Sequence, residues 1–445
     1  MKTTDMTKGN IVPLLIKFAL PILAGSLFQQ LYNTVDSIVV GNYVGKEALA
    51  AIGSTSSLIN AMVGFFMGLA TGAGVVISQY FGAKDIPNLR KTVHTMMLGT
   101  VILGVFITFF AIFLSPYMLQ WMHTPEDVID LSNQYLRIYF EGILFLMIYN
   151  IGSGVLRAVG DSKRPLYFLI ITSLVNVVLD LLFVIAFNMG VRGVAYATII
   201  SEAISAAMVL FVLFKSKECY QLKMSEMKIS GKVLKRVLNV GLPGGIQMAL
   251  TAFSNVFVQG YINGFGSDCM AGWASYNKID IFTLLPMQSI SLASTTFVGQ
   301  NFGAKDLGRV KEGVRKALLL CLTSTAILVV PIMVFSKGLV GLFNRDEGVI
   351  YYGSYFLLVC SPFYLLCCIN QIYAGALRGL GNALIPMIFM LLSFVLFRQA
   401  YLFIVTRLTP AFFPVSIAYP MGWIVCSLMM FIYYRNYISG ISRKK

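Results

Sequence analysis

The sequence predicts an all-α integral membrane protein with twelve transmembrane helices in two six-helix bundles related by a pseudo-two-fold axis. Three observations lead to this prediction. Hydrophobic residues make up 57% of the 445-residue chain and charged residues only 12%, against about 25% charged residues in an average soluble domain. Twelve apolar stretches are long enough to cross a bilayer, and motifs of the first half recur in the second. This composition excludes an ordinary soluble protein.

The predicted helices follow from windows of about 20 mostly apolar residues, the length that spans the hydrocarbon core. The twelve stretches are residues 12–42, 49–79, 92–117, 131–157, 163–187, 190–215, 235–262, 270–299, 311–336, 349–378, 384–407 and 414–437. Several of them exceed the minimum length, which indicates tilted helices or helices that extend beyond the hydrocarbon.

The distribution of basic residues predicts the orientation of these helices. The termini, the loops after helices 2, 4, 6, 8 and 10 and the helix ends that adjoin them carry 26 of the 34 lysines and arginines. The opposite loops and helix ends carry five, and three lie deeper within helices. Because cytoplasmic loops are enriched in lysine and arginine, we expect both termini in the cytoplasm. The net charge of +15 is thereby explained by topology. Basic residues scattered among short loops give no support to a nucleic-acid partner.

An internal repeat divides the chain into two halves. QYFGAKD at 79–85 recurs as QNFGAKD at 300–306, and VLRAVGDSKRPL at 155–166 recurs as ALRGLGNALIPM at 376–387, both 221 residues later. Six helices per half is an even number, so the repeats are parallel, with the axis along the membrane normal and a central cavity as the expected ligand site. We predict lobes at 1–215 and 233–445, joined by a linker at 216–232. Gly82 and Gly303 are expected to provide the tight exits from helices 2 and 8.

A polar stripe runs along the first predicted helix. Ser26, Gln29, Asn33 and Asp36 are spaced by three and four residues, which places them on one helical face. A carboxylate within a transmembrane segment is costly unless it faces protein or water. Asp36 is therefore predicted to be functional.

Helices 5 and 6 carry further polar faces. The set consists of Ser173, Asn176, Asp180, Thr198, Ser201, Glu202 and Ser205. Because burial disfavours the charged form of a carboxyl group, Asp180 and Asp36 could take up a proton on one side of the membrane and release it on the other. The alternative for the hydroxyls and Asn176 is that they form interhelical hydrogen bonds, as small polar residues commonly do in membranes.

Several motifs together resemble those of the MATE (multidrug and toxic compound extrusion) transporters. They are ALPIL, DSIVVGNYVG and ALAAIG near the start, the paired QxFGAKD loops, LRAVGDSKRP after helix 4, and the repeat of six plus six helices. The similarity extends over nearly the whole chain and is strongest to the bacterial DinF-type branch. It implies an ion-coupled antiporter that exports organic compounds.

The resemblance also implies a coupling site in the first half. In the DinF-type branch an acidic residue of helix 1, matched by Asp36, and an Asn-x3-Asp of helix 5, matched by Asn176 and Asp180, form the cation or proton site. A tyrosine at the start of helix 4 and a threonine of helix 6 are associated with it. They match Tyr135 and Thr198.

The second half lacks this carboxylate set and has a different group of charges. Where the related NorM-type branch has an acidic residue in helix 7, this chain has Asn255 and Gln259, so a sodium site is not expected there. Helix 8 carries Lys278 and Asp280, and helix 11 carries Arg398. Arg398 and Asp280 form a candidate ion pair, either fixing helix register or acting in gating or substrate binding.

Polar and aromatic residues on helices 1, 7 and 8 are the candidates for substrate contact. They are Gln29, Tyr32, Asn255, Gln259 and Tyr276. An apolar wall with a few hydrogen-bonding groups suits amphipathic organic molecules. The alternative for most of them is ordinary helix packing.

The complete prediction is a secondary multidrug efflux antiporter that exports cationic or amphipathic compounds in exchange for H+ or Na+. The seven cysteines show no metal-ligand spacing, and no P-loop, nucleophile elbow or HExxH motif occurs, so we expect no enzyme, cofactor or metal site. A lipid-linked oligosaccharide flippase of related architecture is the alternative, although it should need more cations along its cavity. A channel is disfavoured by the repeat. We expect a monomer embedded in lipid, multi-pass in a bacterial inner membrane, without a nucleic-acid partner.

Overall fold

The computed structural model describes residues 4–122, 124–409 and 411–443, and these ranges contain helices but no β-strand. Each predicted stretch corresponds to one long helical segment, although the stretches 163–187, 311–336 and 414–437 extend beyond their segments by one, two and four residues. The segments are α1 Ile11–Val44, α2 Lys46–Gly82, α3 Ile86–Trp121, α4 Glu126–Glu141 with Ile143–Ala158, α5 Lys163–Ala186, α6 Gly190–Lys215, α7 Gly231–Asn263, α8 Ser267–Gly303, α9 Leu307–Val334, α10 Glu347–Gly379, α11 Leu384–Leu408 and α12 Ala418–Arg443. Shorter helices lie at Met224–Glu226, Ser336–Gly341 and Phe412–Ser416.

Most of these helices are suited to a membrane. Within the described ranges nine are long and apolar enough to cross one, and α4 makes a tenth if its two pieces, bent by 48°, count as one span. The two that fall outside this set are α7 and α12. The part of α7 after Arg236 is uncharged but contains several glycines and the amides Asn239, Gln247, Asn255 and Gln259, which lower its hydropathy.

The bend of α4 lies at Gly142, the residue between its two pieces. A Cβ atom at Gly142 would lie 2.7 Å from Cγ1 of Ile199 in α6. The missing side chain therefore allows α4 to approach α6 closely at the bend. Residues of both helices contribute to the cavity described below.

The repeated QxFGAKD loops have the same backbone geometry in both halves. In each loop a lysine adopts a left-handed conformation, with φ of 57° and 62°, and the next residue is an aspartate whose side chain accepts a backbone N–H of the following helix. These residues are Lys84, Asp85, Lys305 and Asp306. The prediction that Gly82 and Gly303 provide the tight helix exits is wrong. Both glycines are still helical, and the tight turn falls two residues later.

Contacts group the chain into two compact units. Unit 1 comprises Leu20–Gly245 and the described residues before Met6, and unit 2 comprises Met6–Ala19 and the chain from Ile246 onward. Helices α1 and α7 each contribute residues to both units. The lobe boundaries predicted from the repeat stay a prediction.

Each unit has its own apolar core. In unit 1 a large cluster around Val76, Val93 and Val155 joins α2, α3 and α4, and Val209 of α6 belongs to the same cluster. In unit 2 the core is rich in aromatic side chains. Trp273 stacks on Tyr276 with ring centroids 4.8 Å apart and lies 4.7 Å from the ring of Phe356.

Candidate functional site

Unit 1 contains a cavity of about 260 Å³ lined by α1, α2, α4 and α6. Polar and apolar groups contribute about equally to its lining. This polar content is unusual for the interior of a membrane-spanning bundle, because every buried polar group needs a partner. The polar and aromatic lining residues are Gln29, Tyr32, Asn33, Asp36, Ser37, Ser56, Asn60, Tyr135, Tyr139, Thr198 and Glu202.

Two carboxyl groups meet at this cavity. Asp36 lines it from α1, and Asp180 of α5 is completely buried beside it. The two carboxyl groups lie near enough to interact directly. Oδ1 of Asp36 and both carboxylate oxygens of Asp180 are buried without a hydrogen-bond partner among the residues that the structure describes. Two carboxylates so placed are stable together only when a proton or another cation compensates their charge.

The amide of Asn176 lies one helical turn before Asp180 on α5. Its side chain is 2% exposed, and neither its oxygen nor its nitrogen has a hydrogen-bond partner. A buried amide without hydrogen bonds costs free energy. Helix packing alone therefore does not explain an asparagine at position 176. The predicted polar face of α5 thus contains buried groups that lack hydrogen-bond partners among the described residues.

Tyr135 and Thr198 both line the cavity. Tyr135 of α4 is buried, lines the cavity and interacts electrostatically with both Asp36 and Asp180. Thr198 of α6 lines the same cavity, and its hydroxyl donates to the carbonyl of Val194 at 3.0 Å. The structure therefore brings all five predicted coupling residues to one region of unit 1.

Sequence reasoning gave too little weight to Glu202 and passed over Tyr139. Glu202 lines the cavity, its Oε2 is buried without a partner, and it interacts with Tyr32 and Tyr139. The signal for Tyr139 was its position one turn after Tyr135, and the two ring centroids lie 6.3 Å apart. Together these residues give the cavity a third carboxyl group and an aromatic wall.

The predicted substrate residues do not all line this cavity. Gln29 and Tyr32 do, whereas Asn255, Gln259 and Tyr276 belong to unit 2. Tyr276 is 2% exposed within the aromatic core, and its hydroxyl lies 3.1 Å from that of Tyr364.

The candidate ion pair between Arg398 and Asp280 does not form. Asp280 accepts a hydrogen bond from the Tyr364 hydroxyl instead. Arg398 donates from Nη2 to Oγ of Ser254 at 3.0 Å and to Oδ1 of Asn255 at 2.7 Å. Of the described ion pairs none involves either residue. The two charges are each held by neutral neighbours.

Curated relatives resemble the chain over almost its full length. It is 31% identical over 442 residues to the probable multidrug resistance protein YpnP of Bacillus subtilis, covering 98% of this chain and 97% of that protein. It is 26% identical over 401 residues to the probable multidrug resistance protein NorM of Thermotoga maritima, covering 88% and 85%.

Solved structures share the fold. A MOP superfamily transporter from Pyrococcus furiosus superposes with a TM-score of 0.93 at 23% identity, over 99% of this chain and 100% of that one. An outward-facing multidrug resistance MATE family transporter gives the same TM-score and identity, over 99% of each chain. The predicted fold class, all-α and membrane-embedded with twelve helices in two six-helix bundles, is confirmed.

The family model MatE matches the chain twice, over residues 21–182 and 243–403. The two matches are separated by nearly the same distance as the repeated loops, so the internal repeat is a duplication of one family unit. The match covers well over half of the sequence, and the resemblance predicted from the motifs is confirmed for the family, while the DinF-type branch stays a prediction. The chain therefore belongs to the MatE family, and it is a multi-pass membrane transporter, not an enzyme.

Proposed function

We propose that the chain is a secondary antiporter that exports cationic or amphipathic organic compounds in exchange for H+ or Na+. One observation carries the proposal. Asp36 and Asp180 adjoin each other beside a polar cavity, with three of their four carboxylate oxygens buried and unsatisfied. The relatives named as multidrug resistance proteins support the export of organic compounds.

The ion site of this proposal consists of oxygen ligands from four helices. The carboxylates of Asp36 and Asp180, the amide oxygen of Asn176 and the hydroxyls of Tyr135 and Thr198 would surround one cation or share one proton. Binding of the ion removes the repulsion between the carboxylates, and its release restores that repulsion. The energy difference between the two states is what can couple ion flow to substrate movement.

Two irregular helical segments lie next to the aspartates. The last turn of α1 after Asp36 is a π-helix at Val40–Val44, and α5 continues after Asp180 as a π-helix at Leu182–Ala186. Such segments are weaker than regular α-helix and often occur at functional sites. They support a local rearrangement of α1 and α5 when the ion binds or leaves.

The rest of the cavity wall suits an organic cation. Tyr32 and Tyr139 offer aromatic faces that attract a positive charge. Gln29 adds hydrogen bonds, and Glu202 adds a carboxylate on the same cavity. A cation bound here would compensate the same carboxylates as the coupling ion, so the two would compete.

The direct test is Asp36→Asn, which keeps the size of the side chain and removes its charge. In everted membrane vesicles we expect energised transport of a fluorescent cation to fall to background. The control is Asp130→Asn, an exposed carboxyl of α4 outside the cavity. Undiminished transport by Asp36→Asn would refute the mechanism. Transport of a lipid-linked oligosaccharide instead of the cation would favour the flippase.

Two independent gradients identify the coupling ion. Proteoliposomes loaded with the dye receive a pH jump or a sodium jump, each with the other ion held equal across the membrane. A response to the pH jump alone assigns H+, and a response to the sodium jump alone assigns Na+. A response to neither contradicts antiport.

We also propose a bacterial inner-membrane location, cytoplasmic termini and a monomeric, cofactor-free state. The bacterial relatives support the location. The lobes would run over 1–215 and 233–445 with the linker 216–232. Light scattering of the purified protein should give the mass of one 49.1 kDa chain after subtraction of detergent.

A further inference from the structure

Arg398 is a charged residue buried within the α11 span of unit 2. It is 3% exposed and directly follows a π-helical segment at Leu392–Phe397. The hydroxyl of Ser254 in α7 donates to the carbonyl of Phe394 in that segment at 3.0 Å. The irregular turn and this contact fix the position from which the Arg398 side chain extends toward α7.

Within the described ranges the guanidinium of Arg398 has no anionic partner. Its Nη2 donates to Ser254 and Asn255, its carbon atom lies 4.5 Å from the ring centroid of Tyr419, and its Nε is buried without an acceptor. Asp280 could have neutralised this guanidinium, but it accepts a hydrogen bond from the Tyr364 hydroxyl instead. Arginine stays charged in proteins, and a charge within a membrane span indicates function by default.

One neutral oxygen marks where an anion would bind. Oδ1 of Asn255 lies 2.7 Å from Nη2 of Arg398 and 3.4 Å from the hydroxyl of Tyr419, so two donors converge on it. Asn255 is an exposed residue, unlike Arg398. A carboxylate oxygen in the place of Oδ1 would receive both hydrogen bonds and supply the missing negative charge. Charge-assisted bonds of arginine to a carboxylate are about twice as strong as neutral ones.

Aromatic rings adjoin this point. The ring of Tyr419 lies 5.4 Å from that of Trp273 and 6.2 Å from that of Trp423. A molecule with a carboxylate at Arg398 would therefore place its apolar part against aromatic side chains. This combination of one fixed charge and an apolar wall is typical of sites for small amphipathic ligands.

We propose that Arg398, Tyr419 and the exchangeable amide of Asn255 form a binding site in unit 2 for the carboxylate of an amphipathic organic anion or zwitterion. Within the proposed substrate class, the site would select amphipathic compounds that carry a carboxylate. It rests on the proposed function only for its biological purpose, because binding itself needs no ion gradient.

The test compares two dyes that differ in one group, a zwitterionic rhodamine with a free carboxylate and the ethyl ester of the same dye. Binding is measured by fluorescence anisotropy on the full-length protein in detergent. Asn255→Asp places a fixed carboxylate against Arg398 and should fold, because it pairs the buried charge. We expect it to weaken binding of the free-carboxylate dye roughly ten- to a hundredfold, the range for a lost charged hydrogen bond, and to leave the ester unchanged.

Arg398→Gln should give the same selective loss, and Lys278→Gln is the matched control. Lys278 is an exposed cation on α8, and its Nζ lies 5.3 Å from the ring centroid of Phe343. Its replacement should leave the affinity for both dyes unchanged. The proposal would be overturned if Asn255→Asp bound each dye with the same affinity as the wild type. An equal loss of affinity for both dyes would also overturn it. Asp36→Asn should keep the dye selectivity, so failure of antiport and failure of this site are distinguishable.

Discussion

Four polar side chains at or near the cavity of unit 1 contain buried atoms without hydrogen-bond partners among the described residues. They are Asp36, Asn176, Asp180 and Glu202. Each such atom costs about 1–3 kcal/mol relative to a satisfied one. Several unsatisfied polar atoms close together lower the stability of the folded protein, and such a loss of stability is typical of functional sites.

Replacing Asn176 should therefore separate stability from transport. Asn176→Leu removes two unsatisfied atoms at similar volume, and we expect the free energy of unfolding to rise by about 1–2 kcal/mol while ion-driven transport is lost. Thermal unfolding in detergent and vesicle transport measure the two effects. Ser205→Ala is the control, since the Ser205 hydroxyl donates to Thr172 at 3.1 Å. It should lower stability and leave transport intact, and a destabilised Asn176→Leu would contradict this interpretation.

The two aspartates should behave as one functional unit. We expect Asp180→Asn to abolish coupled transport as fully as Asp36→Asn, and the double variant to be no worse than either, because residues that act together are strongly non-additive. Initial transport rates of the three variants under one imposed gradient provide the measurement. Additive, partial losses would show that the two carboxyl groups act separately.

The helices α2 and α7 meet through four glycines within unit 1. Gly68 and Gly72 of α2 lie against Gly245 and Gly241 of α7, so that two G-x-x-x-G patterns face each other. A Cβ at Gly72 would come within 2.5 Å of the Gly241 backbone. Small residues at this spacing let membrane helices approach closely. This contact attaches the first part of α7 to unit 1.

A larger side chain at this contact should separate the helices. We expect Gly72→Val to lower the free energy of unfolding by about 3 kcal/mol, since backbone cannot move aside as a side chain does. Gly53→Val in the same helix is the control, because a Cβ there meets no atom within 4 Å. Size-exclusion profiles and thermal unfolding in detergent compare them. Equal stability of the two variants would show that the glycine contact is not needed.

The whole chain is a duplicated unit whose halves have diverged in chemistry. Left-handed backbone positions recur 221 residues apart, at Gly45 and Gly266, and at Gly160 and Gly381, with φ between 88° and 118°. The loops are thus the same in both halves. The buried charges differ, because unit 1 has carboxyl groups at its cavity and unit 2 has Arg398 in α11. The duplication thus supplied two similar frameworks for two kinds of charge.

The distribution of lysine and arginine makes a prediction for the whole molecule. With 26 of 34 basic residues on one side, we expect both termini in the cytoplasm. A green fluorescent protein fused to the C-terminus should fluoresce, and alkaline phosphatase fused there should be inactive. The same reporters placed after Arg345, in the opposite set of loops, should give the reverse result. An active phosphatase at the C-terminus would invert the proposed topology.

The sequence predicts the twelve helices, the repeat and the polar faces of α1 and α5, because hydropathy and helical period are local properties of the chain. It also predicts Asp36 and Asp180 as functional residues. Their meeting at one cavity with Glu202, the glycine contact between α2 and α7, and the absence of a bond between Arg398 and Asp280 depend on how each helix is rotated and bent against the others. That arrangement is the result of packing between segments far apart in the chain, and no local pattern specifies it.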